Sequence, residues 1–158
     1  MKKINLLGIG VLGLFAIVKY LGRPQIQIDA MARTIWGESR NQGYTGMLAV
    51  AHTIKNRMND RRWGNTALSV VFQAWQFSMW NDDDPNGAVA NDVDILDLQF
   101  KTAVEIASRV LNGDVPDNTG GATHYHTDGI DFPKGWGRRS AYRQTDKIGN
   151  HIFYKELA

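Results

Sequence analysis

Glu38 stands between Trp36-Gly37 and Ser39-Arg40, and the next acidic residue along the chain is Asp60. A lone carboxyl beside a tryptophan suits general acid catalysis, because an apolar neighbourhood raises its pKa and keeps it protonated at mild pH. Cleavage of a glycosidic bond needs such an acid at the leaving oxygen. Enzymes of that kind commonly add a second carboxylate as base or nucleophile. With only one, a hydroxyl of the substrate can attack while the same group serves first as acid and then as base. On spacing alone a Glu at a helix end more often serves solvation, so both readings stay open.

Other polar residues admit competing chemistries. His124 and His126 are two apart, which on a strand places both rings on one face; His151 or His52 would complete the three protein ligands a zinc site requires. Without a metal, the same His and Tyr125 suit a sugar groove, hydrogen-bonding hydroxyls and acetamides. Trp75, Phe77, Trp80 and Trp136 could stack on sugar rings or simply fill the core, with Gln76 and Ser78 as polar groups of the groove. Arg40 could steady Glu38, meet a substrate carboxylate or remain solvated. Asp82, Asp84, Asn86 and Gly87 match the first half of a calcium loop, but Val93 stands where the bidentate Glu belongs. A solvated acidic loop is the default there, and no cofactor is expected.

The chain has 158 residues, 43% hydrophobic and 22% charged, which suits one globular body. Its formal net charge of +2 does not point to nucleic acid as a partner. Aspartates crowd residues 82–97, whereas Arg138, Arg139, Arg143 and Lys147 make the C-terminal part basic. With no cysteine, disulfides, thiolate metal sites and cysteine nucleophiles are excluded.

The elements that must position Glu38 can be read from periodicity. At the N-terminus, "MKK" precedes an apolar run from Leu6 to Val18, the layout of a signal peptide or anchor. No small-x-small cleavage site follows it, so residues 1–24 are read as an uncleaved membrane anchor and 25–158 as an exported, monomeric domain. Asp29 is the expected N-cap of a helix through "AMARTIWGES", broken around Gly37 to Gly43, and a second helix is expected from Tyr44 to about Met58. "ALSVVFQ" is a short apolar segment, and "AWQFSMWNDDDPNG" reads as irregular. A further helix is expected over Ile95 to Leu111, capped by Asp94, with Leu98, Val104, Ala107 and Leu111 inward and Gly113 at its end. "GGATHYH" and "NHIFYKEL" read as short strands or extended loops. The fold class is mainly α, with a small irregular or β part.

"ARTIWGESRNQGYTGMLAVAHTIKNRM", "QFS" at Gln76 to Ser78, "GGATHYH" at Gly120 to His126 and "IGNHIFY" at Ile148 to Tyr154 together resemble the ordered motifs of the SleB-type cell-wall hydrolases. The resemblance spans about Ile28 to Tyr154. It implies a lysozyme-like α+β fold, peptidoglycan as substrate, Glu38 as the acid and base of a lytic transglycosylase or muramidase, and Ser39, Gln76, Phe77, Ser78, His124, Tyr125 and His126 as substrate-binding residues. Ser39, Gln42 and His126 depart from the family's frequent Ala, Glu and Asn. The Gln42 departure leaves Glu38 alone and favours the transglycosylase route. A phage endolysin and a wall-remodelling enzyme both suit such a chain. A zinc peptidoglycan amidase or peptidase and a membrane-tethered wall-binding protein remain the alternatives.

Overall fold

The computed structural model describes residues 24–157 apart from Trp75, Asp82 and Asp83. The anchor expected over residues 1–24 therefore lies outside the described residues, save for Pro24. Among the described residues, no helix is long and apolar enough to cross a membrane.

The organising element is helix α1 (Pro24–Ser39), which packs against α2 (Gly43–Asp60), α3 (Ala67–Val71), α4 (Pro85–Asp92) and α5 (Leu98–Asn112). Ala30, Met31, Ala32, Thr34, Ile35, Trp36 and Ser39 are all buried. A helix covered on so many sides has to bury residues over most of its circumference, and its two buried hydroxyls, Thr34 and Ser39, are satisfied by the Ala30 and Ile35 carbonyls one turn back. It is already helical at Pro24, the first described residue, so Asp29 lies within the helix and is not its N-cap. Asp29 instead accepts a hydrogen bond from Arg33 Nε at 2.9 Å, one turn on. Helix α2 lies close to its expected span and buries Met47, Val50, Ala51 and Ile54 against α1 and α5.

Two elements differ from expectation. Asp97, not Asp94, caps α5, accepting from Phe100 N at 2.8 Å, while Asp94 closes only a turn at Leu96 N. The buried face of α5 is consequently Phe100, Ala103, Ile106, Ala107 and Val110, and Leu98 is exposed. The stretch expected to be irregular ends in the first turn of α4, started by Asp84 as N-cap and Pro85 as first residue. Asp84 Oδ1 accepts from Asn86 N at 2.8 Å.

Strands β1 (His124–Thr127), β2 (Tyr142–Ile148) and β3 (His151–Glu156) form an antiparallel sheet in the order β1-β3-β2. Gly149 takes a φ of 57°, which a two-residue hairpin turn asks of its first residue. Strand β2, "YRQTDKI", is one of the two edge strands, and its charged, exposed residues hid it from a search for apolar alternation. Ala49 of α2 meets Ala122 and Phe153 in a small buried cluster that joins the sheet to the helices.

Helix α4 comes so close to the 3₁₀ turn Ser78–Trp80 that a Cβ on Gly87 would fall on the Met79 carbonyl oxygen. Because backbone must move to relieve that overlap, Gly87→Ala should cost about 1–3 kcal/mol. Urea unfolding reads this as a lower midpoint, and an unchanged midpoint would mean that the approach is not tight.

Candidate active site

Glu38 sits in the last turn of α1, where the helix leaves the core. Its Oε2 accepts a hydrogen bond from Tyr125 Oη on β1 at 2.9 Å, and its Oε1 lies 3.5 Å from Met79 N. The helical half and the sheet thus close on one carboxyl. Burial raises the Glu38 pKa from its ordinary value. The Tyr125 and Met79 contacts and the charge of Arg57 oppose the rise, while Asp84 adds to it. Tyr125 is pushed well above the usual phenol range, mainly by its own burial and then by Glu38, so it stays a donor to the carboxylate.

Glu38 stands where two cavities meet. One, of about 620 Å³, is lined by Arg57, Trp63, Gln76, His124, Pro133, Gly135, Trp136 and Tyr142. The other, of about 430 Å³, is lined by Gly37, Met79, Asn86, His126, Thr127, Ile130 and His151. Glu38, Ser78 and Tyr125 line both. Their arrangement is that of a groove crossing the carboxyl, with room for a polymer on either side.

The first flank is aromatic. The His124 ring meets Trp63, Trp136 and Tyr142 edge-on at centroid distances of 5.6, 4.8 and 5.0 Å. Burial, reinforced by Arg57, holds the His124 pKa down to about 4. At neutral pH its ring is therefore uncharged and able to donate through one nitrogen and accept through the other. On the second flank, His126 stacks on Tyr154 at 5.3 Å, with Nε2 3.1 Å from Tyr154 Oη and Nδ1 2.8 Å from the Thr127 carbonyl oxygen. That carbonyl can only accept, so Nδ1 carries a proton and donates it there.

Of the residues expected at the site, Glu38, Gln76, Ser78, His124, Tyr125 and His126 come together along the groove. Ser39 and Phe77 do not. Ser39 is fully buried with its hydroxyl donating to Ile35 O, and Phe77 is a core residue under the Arg57 guanidinium. Trp36, expected to supply the apolar surroundings of Glu38, turns away and donates its indole to Asp97 Oδ1 at 3.2 Å. Trp80 donates to Thr34 and lines a separate hollow, so of the four aromatics considered for stacking Trp136 is the one the groove includes, Trp75 lying outside the described residues. Arg40 lies over the Trp36 ring and donates to Asn86, not to Glu38.

The metal readings find little geometry. Both His126 nitrogens are engaged, and His52 lies on α2 beside Asp117, 4.0 Å away. No three potential ligands converge among the described residues. Of the calcium-loop residues, Asp82 lies outside the described residues, Asp84 is spent on the α4 cap, and Asn86 is held by Asp84 and Arg40. Arg57, Trp63 and Tyr142 are site residues that sequence reasoning passed over, and His151, considered there only as a zinc ligand, lines the second flank.

A family model for cell wall hydrolases matches residues 41–154. The chain belongs to the cell wall hydrolase family. It is 35% identical over 135 residues to a spore cortex-lytic enzyme of Bacillus cereus, an alignment covering 85% of this chain and 46% of that protein. A spore cortex-lytic enzyme of Bacillus subtilis is 31% identical over 126 residues, covering 80% and 36%. The chain thus spans less than half the length of these two curated relatives. The solved catalytic domain of the germination-specific lytic transglycosylase SleB from Bacillus anthracis superposes with a TM-score of 0.62 at 32% identity, covering 85% of this chain and 98% of that one. Although the family match starts just after Glu38, any stretch of 85% of this chain takes in Glu38 wherever it begins.

Glu38 also makes a stability prediction. A carboxyl whose pKa is raised by folding binds its proton more tightly in the folded state, so the fold is penalised as pH rises above the ordinary value of 4.5. Glu38→Gln should therefore unfold at a higher temperature than the parent protein at neutral pH. The difference should fade as pH falls below that ordinary value. Equal melting temperatures at neutral pH would contradict the burial of an ionisable carboxyl.

Proposed function

We propose that this domain cleaves the β-1,4 bond between N-acetylmuramic acid and N-acetylglucosamine in peptidoglycan, as a lytic transglycosylase with Glu38 as its only acid and base. The observation that carries the reading is that Glu38 is the one carboxylate among the described residues lining the groove, at the point shared by its two flanks. Family membership supports the wall polymer as substrate, and the printed activity of the Bacillus anthracis neighbour supports the transglycosylase route.

In the first step, protonated Glu38 gives its proton to the glycosidic oxygen as the bond from that oxygen to the muramoyl C1 breaks. The N-acetylglucosamine side leaves with a free 4-hydroxyl. In the second step, the muramoyl O6 attacks C1 while the Glu38 carboxylate takes the O6 proton. A 1,6-anhydro ring closes, Glu38 is again protonated, and no water is consumed. Tyr125 holds the carboxyl in place through both steps, and burial favours its protonated form at the outset. Gln76, Ser78 and His124 are the polar groups for sugar hydroxyls and acetamides, with Trp63, Trp136 and Tyr142 as apolar faces, while His126, both of its nitrogens engaged, lines the second flank through its ring.

One observation favours a hydrolytic second reading. The charge of Asp84 is felt at Glu38, as that of a second carboxylate near the acid would be. Against it, Asp84 is bound to Asn86 N and Nδ2 at the start of α4 and lines neither flank. Mass spectrometry of fragments released from purified peptidoglycan separates the routes. Anhydro products one water lighter than reducing-end products are expected, and full-mass reducing ends would establish hydrolysis. Glu38→Gln should lower the rate by about 10²–10⁴-fold or more, and undiminished cleavage would remove Glu38 from the mechanism. Export, which such a substrate requires, rests on the basic and apolar segment at residues 1–24 as a membrane anchor. Recovery of the full chain in the cytosolic fraction of its host would overturn that part.

A further inference from the structure

Arg57 is an ionisable group that the mechanism above does not use. It lies in the last turn of α2, is only 4% exposed, and lines the larger flank of the groove together with Glu38 and Tyr125. Its Nε donates to the Thr123 carbonyl oxygen at 2.7 Å, and its guanidinium packs over the rings of Trp63 and Phe77 at 5.5 and 5.1 Å. These contacts fix the cation in one place. Nothing neutralises it there. Among the described residues Nη1 is buried with no acceptor, and no carboxylate lies within ion-pair distance of the guanidinium. A buried charge without a counter-charge is expensive to keep, and the acidic groups whose charges reach it are Tyr125 and Glu38.

We propose that Arg57 is a positioning residue of the reaction, a buried and immobile cation in the groove wall whose charge stabilises the ionised Glu38 present between the two proton transfers. This rests on the reading of Glu38 as acid and base. A single carboxyl has to hold its proton before cleavage and yet exist as the anion afterwards. Burial serves only the first requirement. The groups facing Glu38 divide accordingly: Asp84 opposes the anion, while Tyr125 Oη, Met79 N and Arg57 favour it. Of these, Arg57 is the one full positive charge, and its attraction is strengthened by the low dielectric of the wall. The same guanidinium also ties Thr123, two residues before Tyr125, to α2, so a purely structural role is the rival explanation.

Arg57→Gln keeps a donor for Thr123 and loses the charge, whereas Arg57→Lys keeps the charge and loses the planar fork. The readouts are the titration of the Glu38 carboxyl, followed by carbon-13 NMR, and the pH dependence of kcat for glycan cleavage. In Arg57→Gln the Glu38 midpoint should move to higher pH and the alkaline limb of kcat with it, while Arg57→Lys stays near the parent protein. A slower Arg57→Gln enzyme with an unmoved midpoint would mean that Arg57 is structural and would overturn the proposal. Should Arg57→Gln fail to fold, Arg57→Lys decides alone: a retained midpoint supports the fixed-charge role, and a displaced one refutes it. The NMR titration does not depend on what is cleaved, so it stands or falls apart from the glycosidase reading, which Glu38→Gln tests.

Discussion

The desolvation of one carboxyl is the constraint around which this domain is built. Glu38 is partly withdrawn from water because α1 is embedded among four other helices and emerges at the groove within its final turn. Ile35 and Ser39, on either side of it, are buried in the core. Met79 closes over it from the 3₁₀ turn and Tyr125 from the sheet, so both halves of the fold contribute to one environment. Loosening either half would return water to the carboxyl and its pKa toward the ordinary range.

The two halves supply different chemistry. Helices provide the rigid frame: a well-packed core fixes the ends of α1 and α2, from which Glu38 and Arg57 project. The sheet and the loop before β2 provide the polar and aromatic surface, in which a neutral His124 is packed among Trp63, Trp136 and Tyr142. Such a surface offers apolar faces and neutral hydrogen-bonding groups together, and these are what an uncharged sugar ring presents in return. The cation in the wall answers a different need, that of the carboxyl itself.

Much of this frame was legible in the sequence because it follows from local patterns. Periodicity located α1, α2 and most of α5, and alternation located β1 and β3. Residue-level placement failed where tertiary packing decides. Ser39 follows Glu38 by one residue, yet a helix turns about 100° per residue, so that step carries the side chain from groove to core. Gln76, Phe77 and Ser78 divide similarly in an extended segment, the outer two facing the groove and Phe77 the interior. Asp84-Pro85-Asn86-Gly87 carries the residues of a turn, but Asp before Pro also starts a helix, and here it does. Arg57 sits in "IKNRM", where a basic residue reads as solvated surface; only the arrival of Thr123, Trp63 and Phe77 from elsewhere in the chain buries it. No local signal could have shown that.

The most direct test of the central claim is a crystal structure of the Glu38→Gln protein with a peptidoglycan tetrasaccharide bound. The glycan should cross residue 38 and occupy both flanks, with one glycosidic oxygen within about 2.6–3.2 Å of the residue 38 side chain. Binding confined to one flank, or a chain whose linkages all lie beyond the reach of residue 38, would contradict a groove built around a single half-buried acid.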